Sequence, residues 1–174
     1  MQGKKVKLFT GIIVRNNPEL IKMVKDALEK TFSEIILESR IIPFNYTNYY
    51  QKEMGKELLR FWAGYKKPIL PDELPDIKKK AVELEKGFCD EKGNRQVNID
   101  PGYLELSKIV LSSTKDYSHR IYLRDGVYAE LEYQFLKGKY EPVSWTYPDY
   151  RDTPAIEFFH NLRRIFKEEL KNNP

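Results

Sequence analysis

The hydrophobic pattern of the first hundred residues predicts four strands and two helices. Strand-like patterns of apolar residues cover 6–14, 35–42, 58–65 and 96–99. Apolar residues recur at helical spacing after Asn17-Pro18-Glu19, which combines a capping residue, a first-turn proline and an acidic residue. A second helical stripe begins near Asp72 and ends at Gly87 or Gly93. The order β-α-β-β-α-β predicts a ferredoxin-like split βαβ core.

The remaining residues predict an antiparallel β-meander followed by a C-terminal helix. Strand patterns cover 107–113, 119–123, 127–135 and 140–145. In the third of these strands, the apolar residues face one way, while Glu130, Glu132 and Gln134 face the other, which is typical of a half-buried strand. The last helix begins at Asp152 or Thr153. We therefore expect a single α+β domain over 1–174, with the βαββαβ half in 1–100 and the meander and closing helix in 101–174.

The composition fits a globular protein with a mild excess of positive charge. Of the 174 residues, 41% are hydrophobic, which is sufficient for a core that buries about 70% of the unfolded chain's surface. Charged residues make up 32%, above the usual value of about 25%, and the Lys and Glu excess is typical of a heat-adapted source. The net charge is +4, but basic residues are interspersed with acidic ones, and the run at 78–80 is interpreted as a solvated helix face.

Several classes of protein are disfavoured by the sequence. Neither a signal peptide nor an apolar run of membrane-spanning length is visible, so we expect a soluble cytoplasmic protein without a membrane partner. The single cysteine, Cys89, excludes a disulfide within the chain. Two histidines and one cysteine are too few for the common structural zinc sites, so no metal site is predicted. No motif indicates a cofactor.

Chemistry-bearing residues concentrate in two stretches, 98–120 and 145–151, where charged and aromatic residues alternate. His119 is the first catalytic candidate, because an imidazole can act as general acid or base near neutral pH. Asp116 or Asp100 would orient it. The structural alternatives are that His119 begins a strand and makes a structural hydrogen bond, and that Asp100-Pro101-Gly102 forms a turn.

The same two stretches contain the candidates for ligand binding. Lys115, Arg120 and Arg151 would neutralise an anionic ligand, and Tyr103 and Asp149 complete the predicted set. The first hypothesis is therefore that both stretches meet in one pocket for a small anionic or phosphorylated ligand, with acid–base chemistry at His119.

Two other functions are compatible with the sequence. The chain has twelve tyrosines, which could stack nucleic-acid bases, so a non-catalytic RNA or nucleotide binding module is the second hypothesis. The third is an interaction or oligomerisation protein in which the charged stretches only brace loops or an interface. The sequence does not fix the oligomeric state.

Five phrases resemble an uncharacterised prokaryotic family, the domain-of-unknown-function family numbered 4416. They are VKLF at 6–9, NYY at 48–50 with EMG at 53–55, NIDPGY at 98–103, STKDYSHRIY at 113–122 and WTYPDYR at 145–151. The resemblance covers nearly the whole chain and implies no activity, substrate or site residue. Some relatives carry a label of GTP binding, but this chain has no G-x-x-x-x-G-K-[ST] loop. In Thr114-Lys115-Asp116, the acid stands one residue earlier than in the guanine-reading T-K-x-D motif, so GTPase activity is not predicted.

Overall fold

The computed structural model describes residues 3–172, in which nine strands form one antiparallel sheet and four α-helices pack around it. The strands are β1 (Val6–Arg15), β2 (Ile35–Glu38), β3 (Ile42–Pro43), β4 (Leu58–Ile69), β5 (Val97–Leu104), β6 (Lys108–Ser113), β7 (Ile121–Arg124), β8 (Val127–Leu136) and β9 (Lys139–Pro142). The helices are α1 (Pro18–Thr31), α2 (Gln51–Met54), α3 (Leu74–Gly87) and α4 (Thr153–Asn172), with 3₁₀ turns at Pro71–Glu73 and Pro148–Arg151.

One continuous sheet runs through both halves of the chain. Its strand order is β2-β4-β1-β5-β6-β8-β7, with β3 paired to β4 and β9 paired to β8. The four longer strands of the first half lie together in the order β5-β1-β4-β2, and the meander extends the sheet from β5. Among the described residues, no helix is both long and apolar enough to cross a membrane.

The two faces of the sheet are covered by different helices. Because successive side chains of a strand point to opposite faces, neighbours such as Phe61 and Trp62 enter separate cores. Phe61 packs with apolar residues of α1 and α3, on what we call the α1/α3 face. Trp62 packs with apolar residues of α4, on the α4 face. The α4 face forms one part of the candidate site.

Local sequence signals fix the ends and docking of the helices. Asn17 caps α1 as predicted, since its Oδ1 accepts hydrogen bonds of 3.0 Å from the N–H groups of Glu19 and Leu20. Helix α4 is tied to the sheet by Lys7, whose fully buried Nζ donates to both carboxylate oxygens of Glu169 at 2.7 Å and to the carbonyl of Lys66 at 2.9 Å. This partly buried ion pair anchors the last helix across β1.

The interpretation of Asp100-Pro101-Gly102 as a turn is wrong, because β5 continues through it to Leu104. Pro101 lies opposite Thr10 of β1, and β5 pairs with β6 only from Gly102 onward. A proline lacks the N–H that strand pairing needs, but it is tolerated where one edge of a strand is unpaired. The two strands therefore separate at this end of the sheet, and Asp100 lies in the opening.

The predicted alternation of β8 is also wrong at its two glutamates. The pairing of β6 with β8 shifts register between Ile109 and Val110, which inserts an extra residue into β8. Glu130 and Glu132 are consequently 3% and 0% exposed instead of facing solvent. Strand β4 likewise runs to Ile69, beyond the predicted range of 58–65.

Candidate functional site

A cavity of about 830 Å³ opens where β5 and β6 separate. The turn before α4 lines it on the α4 face, and side chains of α3 line it across the open edge of β5. Most of its lining residues are charged or aromatic. We call it the β5–β6 cavity, and its charged and aromatic lining comprises Arg60, Lys78, Lys86, Arg95, Lys115, Arg120, Glu85, Asp100, Glu130, Asp149, Phe44, Tyr46, Tyr49, Tyr50, Tyr147 and Tyr150. Its volume lies in the range of sites for small molecules, roughly 300–1,000 Å³.

Two side chains of α3 replace the missing strand at the open edge of β5. Glu85 accepts the N–H of Ile99 at 2.6 Å, and Lys78 donates to the carbonyl of Ile99 at 3.1 Å. Lys78 also donates to Oδ1 of Asp100 at 2.9 Å. The prediction that Lys78 lies on a solvated face is therefore wrong: it is 5% exposed, because the unpaired strand edge needs its ammonium.

The charges around Asp100 compensate one another. Burial opposes ionisation of Asp100, but Lys78, together with Arg60 and the amide of Asn98, holds the pKa of this carboxyl below its ordinary value. Burial raises the pKa of Glu85, although Lys78 and the Ile99 N–H act against that shift. The floor of the cavity is thus a set of paired charges within the sheet.

Arg60 of β4 lines the cavity and is 2% exposed. Its Nε is 2.9 Å from Oδ2 of Asp149, and its guanidinium packs on the rings of Trp62 and Tyr150, with the guanidinium carbon 4.7 and 5.1 Å from their centroids. Burial works against its charge, but Asp149 and the surrounding groups raise its pKa. Among the described residues, Nη1 of Arg60 has no hydrogen-bond partner.

Gly11 of β1 leaves the space that Arg60 occupies. A Cβ at this position would stand 2.7 Å from the hydroxyl oxygen of Tyr150 and 3.0 Å from Nη2 of Arg60. Any larger residue would push the guanidinium or the phenol out of place. The glycine is therefore required by the close approach of these two side chains.

A second wall of the cavity is built by Arg120, Glu130 and His119. Nε2 of His119 lies 2.8 Å from Oε2 of Glu130, and Nε of Arg120 donates to the same oxygen at 3.0 Å. Arg120 also donates from Nη2 to the hydroxyl of Tyr147 at 2.7 Å. The imidazole is stacked on Trp145, with 5.2 Å between ring centroids. Glu130 faces the cavity, and His119 stands behind it.

The structure brings four of the eight predicted site residues to the cavity lining: Asp100, Lys115, Arg120 and Asp149. His119 lies just outside the lining and precedes β7 rather than beginning a strand. Its carboxylate partner is Glu130, not Asp100 or Asp116, because the loop leaves Asp116 exposed to solvent.

The other two predicted residues lie away from the cavity. Tyr103 points to the α1/α3 face, where it packs against the core beneath those helices. Arg151 donates to the carbonyls of Thr146 at 3.0 Å and Val143 at 2.6 Å, and so braces the turn before α4. The geometry gives Arg151 a structural role.

The residues that sequence reasoning missed are buried charges within regular elements. Lys78 and Glu85 fall on the same stripe of α3 as the buried Leu74, Ile77 and Ala81. Arg60 falls between Leu58 and Trp62 on one side of β4. A charged residue in register with buried apolar neighbours was the signal available in the sequence. Within residues 3–172, no group of three or more His, Cys, Asp or Glu side chains could hold a metal ion.

The fold and the cavity define an α+β protein whose antiparallel sheet opens at one end around paired charges. The model of one family, Domain of unknown function (DUF4416), matches residues 4–166, so the chain belongs to this family. No curated protein and no solved structure matches the chain.

Proposed function

We propose that the β5–β6 cavity binds a small anionic ligand, such as a phosphorylated metabolite, with Arg60 as its main cationic contact. The observation that carries the proposal is the buried guanidinium of Arg60, whose Nη1 has no hydrogen-bond partner among the described residues. An unsatisfied buried donor is costly, and a charged one more so. A phosphate or carboxylate is the group that a guanidinium binds best, through two parallel hydrogen bonds.

The charge of the lining supports the same ligand class. Six basic and four acidic side chains line the cavity. The acids are engaged in pairs, Asp100 with Lys78 and Asp149 with Arg60, and their charges are offset within the protein. Lys115 lies at the rim, where it is exposed and available to an incoming anion. The net balance therefore attracts a negatively charged ligand.

Isothermal titration calorimetry with ribose 5-phosphate, inorganic phosphate and uncharged ribose tests this proposal. We expect the two phosphates to bind and ribose not to bind. Arg60→Lys keeps the charge but loses the planar fork, so affinity should fall at least about tenfold. Arg163→Lys is the matched control, because Arg163 stacks on Phe135 at 3.5 Å and lies outside the cavity lining. Equal phosphate affinity in Arg60→Lys and wild type would refute the proposal.

A second candidate function is proton transfer within the same cavity, which the contact between His119 and Glu130 favours. Glu130 would take a proton from a bound ligand, and His119, whose side chain is 16% exposed, would pass that proton to solvent. This assigns His119 a role behind the cavity-facing carboxylate, instead of direct contact with the ligand.

Deuterium incorporation tests the proton transfer. In D₂O, ribose 5-phosphate should exchange the hydrogen next to its carbonyl in the presence of wild type but not of Glu130→Gln. His119→Asn should slow the exchange without changing binding of inorganic phosphate. If Glu130→Gln exchanges as fast as wild type, the carboxylate is not the base.

We also propose that the first half of the chain is ferredoxin-like. The proposal is supported by the strand order β5-β1-β4-β2 and by the packing of α1 and α3 on the same face. An experimental structure in which these four strands pair in another order would overturn it.

A further inference from the structure

We infer that the ligand of the β5–β6 cavity carries a planar aromatic ring beside its anionic group, and that this ring binds at the rim against Tyr49. The inference rests on the proposed function, since it adds a second subsite to the anion site at Arg60. It assigns the ligand class as an aryl or heteroaryl anion.

The cavity changes character between its floor and its rim. The floor is charged: it contains Arg60 and Lys78, which are 2% and 5% exposed, and the half-buried Asp100. The rim is formed chiefly by two tyrosines: Tyr49, in the segment before α2, and Tyr147, immediately before the 3₁₀ turn that precedes α4. A ligand that fills both parts therefore needs a charged end and an apolar end with a polar edge.

Tyr49 is the most exposed aromatic residue of the lining, at 59%, and Tyr147 is 38% exposed. Tyr49 is nevertheless held in place. Its ring meets Tyr50 edge to face, with centroids 5.0 Å apart and planes at 88°. A tyrosine ring that is fixed but largely uncovered is a platform on which another planar ring can stack.

A cation already lies beside that platform. Nζ of Lys115 is 4.1 Å from the centroid of the Tyr49 ring and also donates to the Tyr49 hydroxyl. The rim thus presents an ammonium and an aromatic face together, which are the two groups that recognise a planar anion. Burial raises the pKa of Tyr50, so its hydroxyl stays neutral and can donate a hydrogen bond to the same ligand.

Phenyl phosphate and cyclohexyl phosphate separate the ring contact from the anion contact. They carry the same phosphate and rings of similar size, but only the first ring is planar and aromatic. By calorimetry, we expect wild type to bind phenyl phosphate about fivefold to tenfold more tightly than cyclohexyl phosphate. In Tyr49→Leu this preference should disappear, while the affinity for cyclohexyl phosphate stays within twofold of wild type.

Tyr122→Leu is the matched control, because Tyr122 is 58% exposed but lies on β7, outside the cavity lining. It should keep the full preference for phenyl phosphate. If binding still depends on Arg60, two results would overturn the ring subsite alone. They are equal binding of the two esters to wild type and a preference for phenyl phosphate that survives in Tyr49→Leu. Absence of binding by both esters, or binding that Arg60→Lys leaves unchanged, would overturn the anion site and the ring subsite together.

Discussion

Replacement of Gly11 by alanine should weaken anion binding much more than another substitution that lowers the free energy of unfolding by the same amount. The added Cβ would lie 2.7 Å from the Tyr150 hydroxyl, whereas ordinary contacts begin at 3.4 Å, so one of the two groups must move by about 0.7 Å. Tyr150 is only 1% exposed and has little freedom to turn away. The added Cβ would also lie only 3.0 Å from Nη2 of Arg60, so the guanidinium, which packs on the Tyr150 ring, must shift together with the phenol, and with it the donor that we assign to the ligand.

The stability cost follows from overpacking. An extra methyl group in a tight site costs about 1–3 kcal/mol, and alanine recovers about 0.5–1 kcal/mol relative to glycine in a strand. We therefore expect a loss of about 0.5–2 kcal/mol in the free energy of unfolding, measured by urea denaturation. In the same variant, the Kd for ribose 5-phosphate should rise at least about tenfold. A donor that is displaced by about 0.7 Å no longer lies within hydrogen-bonding distance of the ligand.

Gly64→Ala provides the matched control for this experiment. Its Cβ would stand 2.6 Å from Cδ1 of Leu162 in the core under α4, away from the cavity lining. Its loss of stability should be similar, yet its ligand affinity should stay within twofold of wild type. The reasoning is refuted if Gly11→Ala binds ribose 5-phosphate like wild type, or if both variants lose affinity equally.

Three further predictions concern buried or bridging carboxylates. Burial and the neighbouring Glu130 raise the pKa of Glu132 well above 4.5 in the folded protein. As pH rises, the unfolded chain therefore loses this proton at a lower pH than the folded protein does. The free energy of unfolding of wild type consequently falls between pH 4.5 and the folded-state pKa. Glu132→Gln should remove that fall, with urea denaturation showing no difference from wild type near pH 4 and a more stable variant at pH 8. Glu169→Gln should lower the free energy of unfolding by about 1–3 kcal/mol, which is less than the loss of a fully buried ion pair would cost, because Glu169 is partly exposed. The additional substitution Lys7→Met should restore part of that loss. Glu53→Gln should speed hydrogen exchange in α2 by about twofold to fivefold with little change in global stability, because Glu53 holds this helix to Arg95 in the segment that precedes β5. Unchanged exchange would contradict that role.

The sequence correctly predicted those helix boundaries that depend only on neighbouring residues. The Asn17 cap placed the start of α1 correctly, and the apolar stripe after Asp152 placed α4. The register of β8 and the path of β5 were not predictable in this way. Both depend on how β6 pairs with its neighbours, and that pairing joins residues that are distant along the chain.

The candidate site was predictable only in part for the same reason. The two charged stretches do meet, since His119 stacks on Trp145 and Arg120 bonds to Tyr147. The groups that complete the site, Arg60 and Glu130, come from strands in which a charged residue ordinarily marks the solvent side. The bulge in β8 turns Glu130 inward, whereas Arg60 is buried because it shares a side of β4 with Leu58 and Trp62.

The junction between β5 and β6 is short where the cavity lies. Three residue pairs join these strands, whereas eight pairs join β1 to β5. The meander is thus connected to the rest of the sheet through a narrow seam, and the cavity spans both sides of it. A ligand bound there would act as a cross-link between the two halves, so binding should raise the mechanical resistance of the seam as well as the thermal stability of the protein.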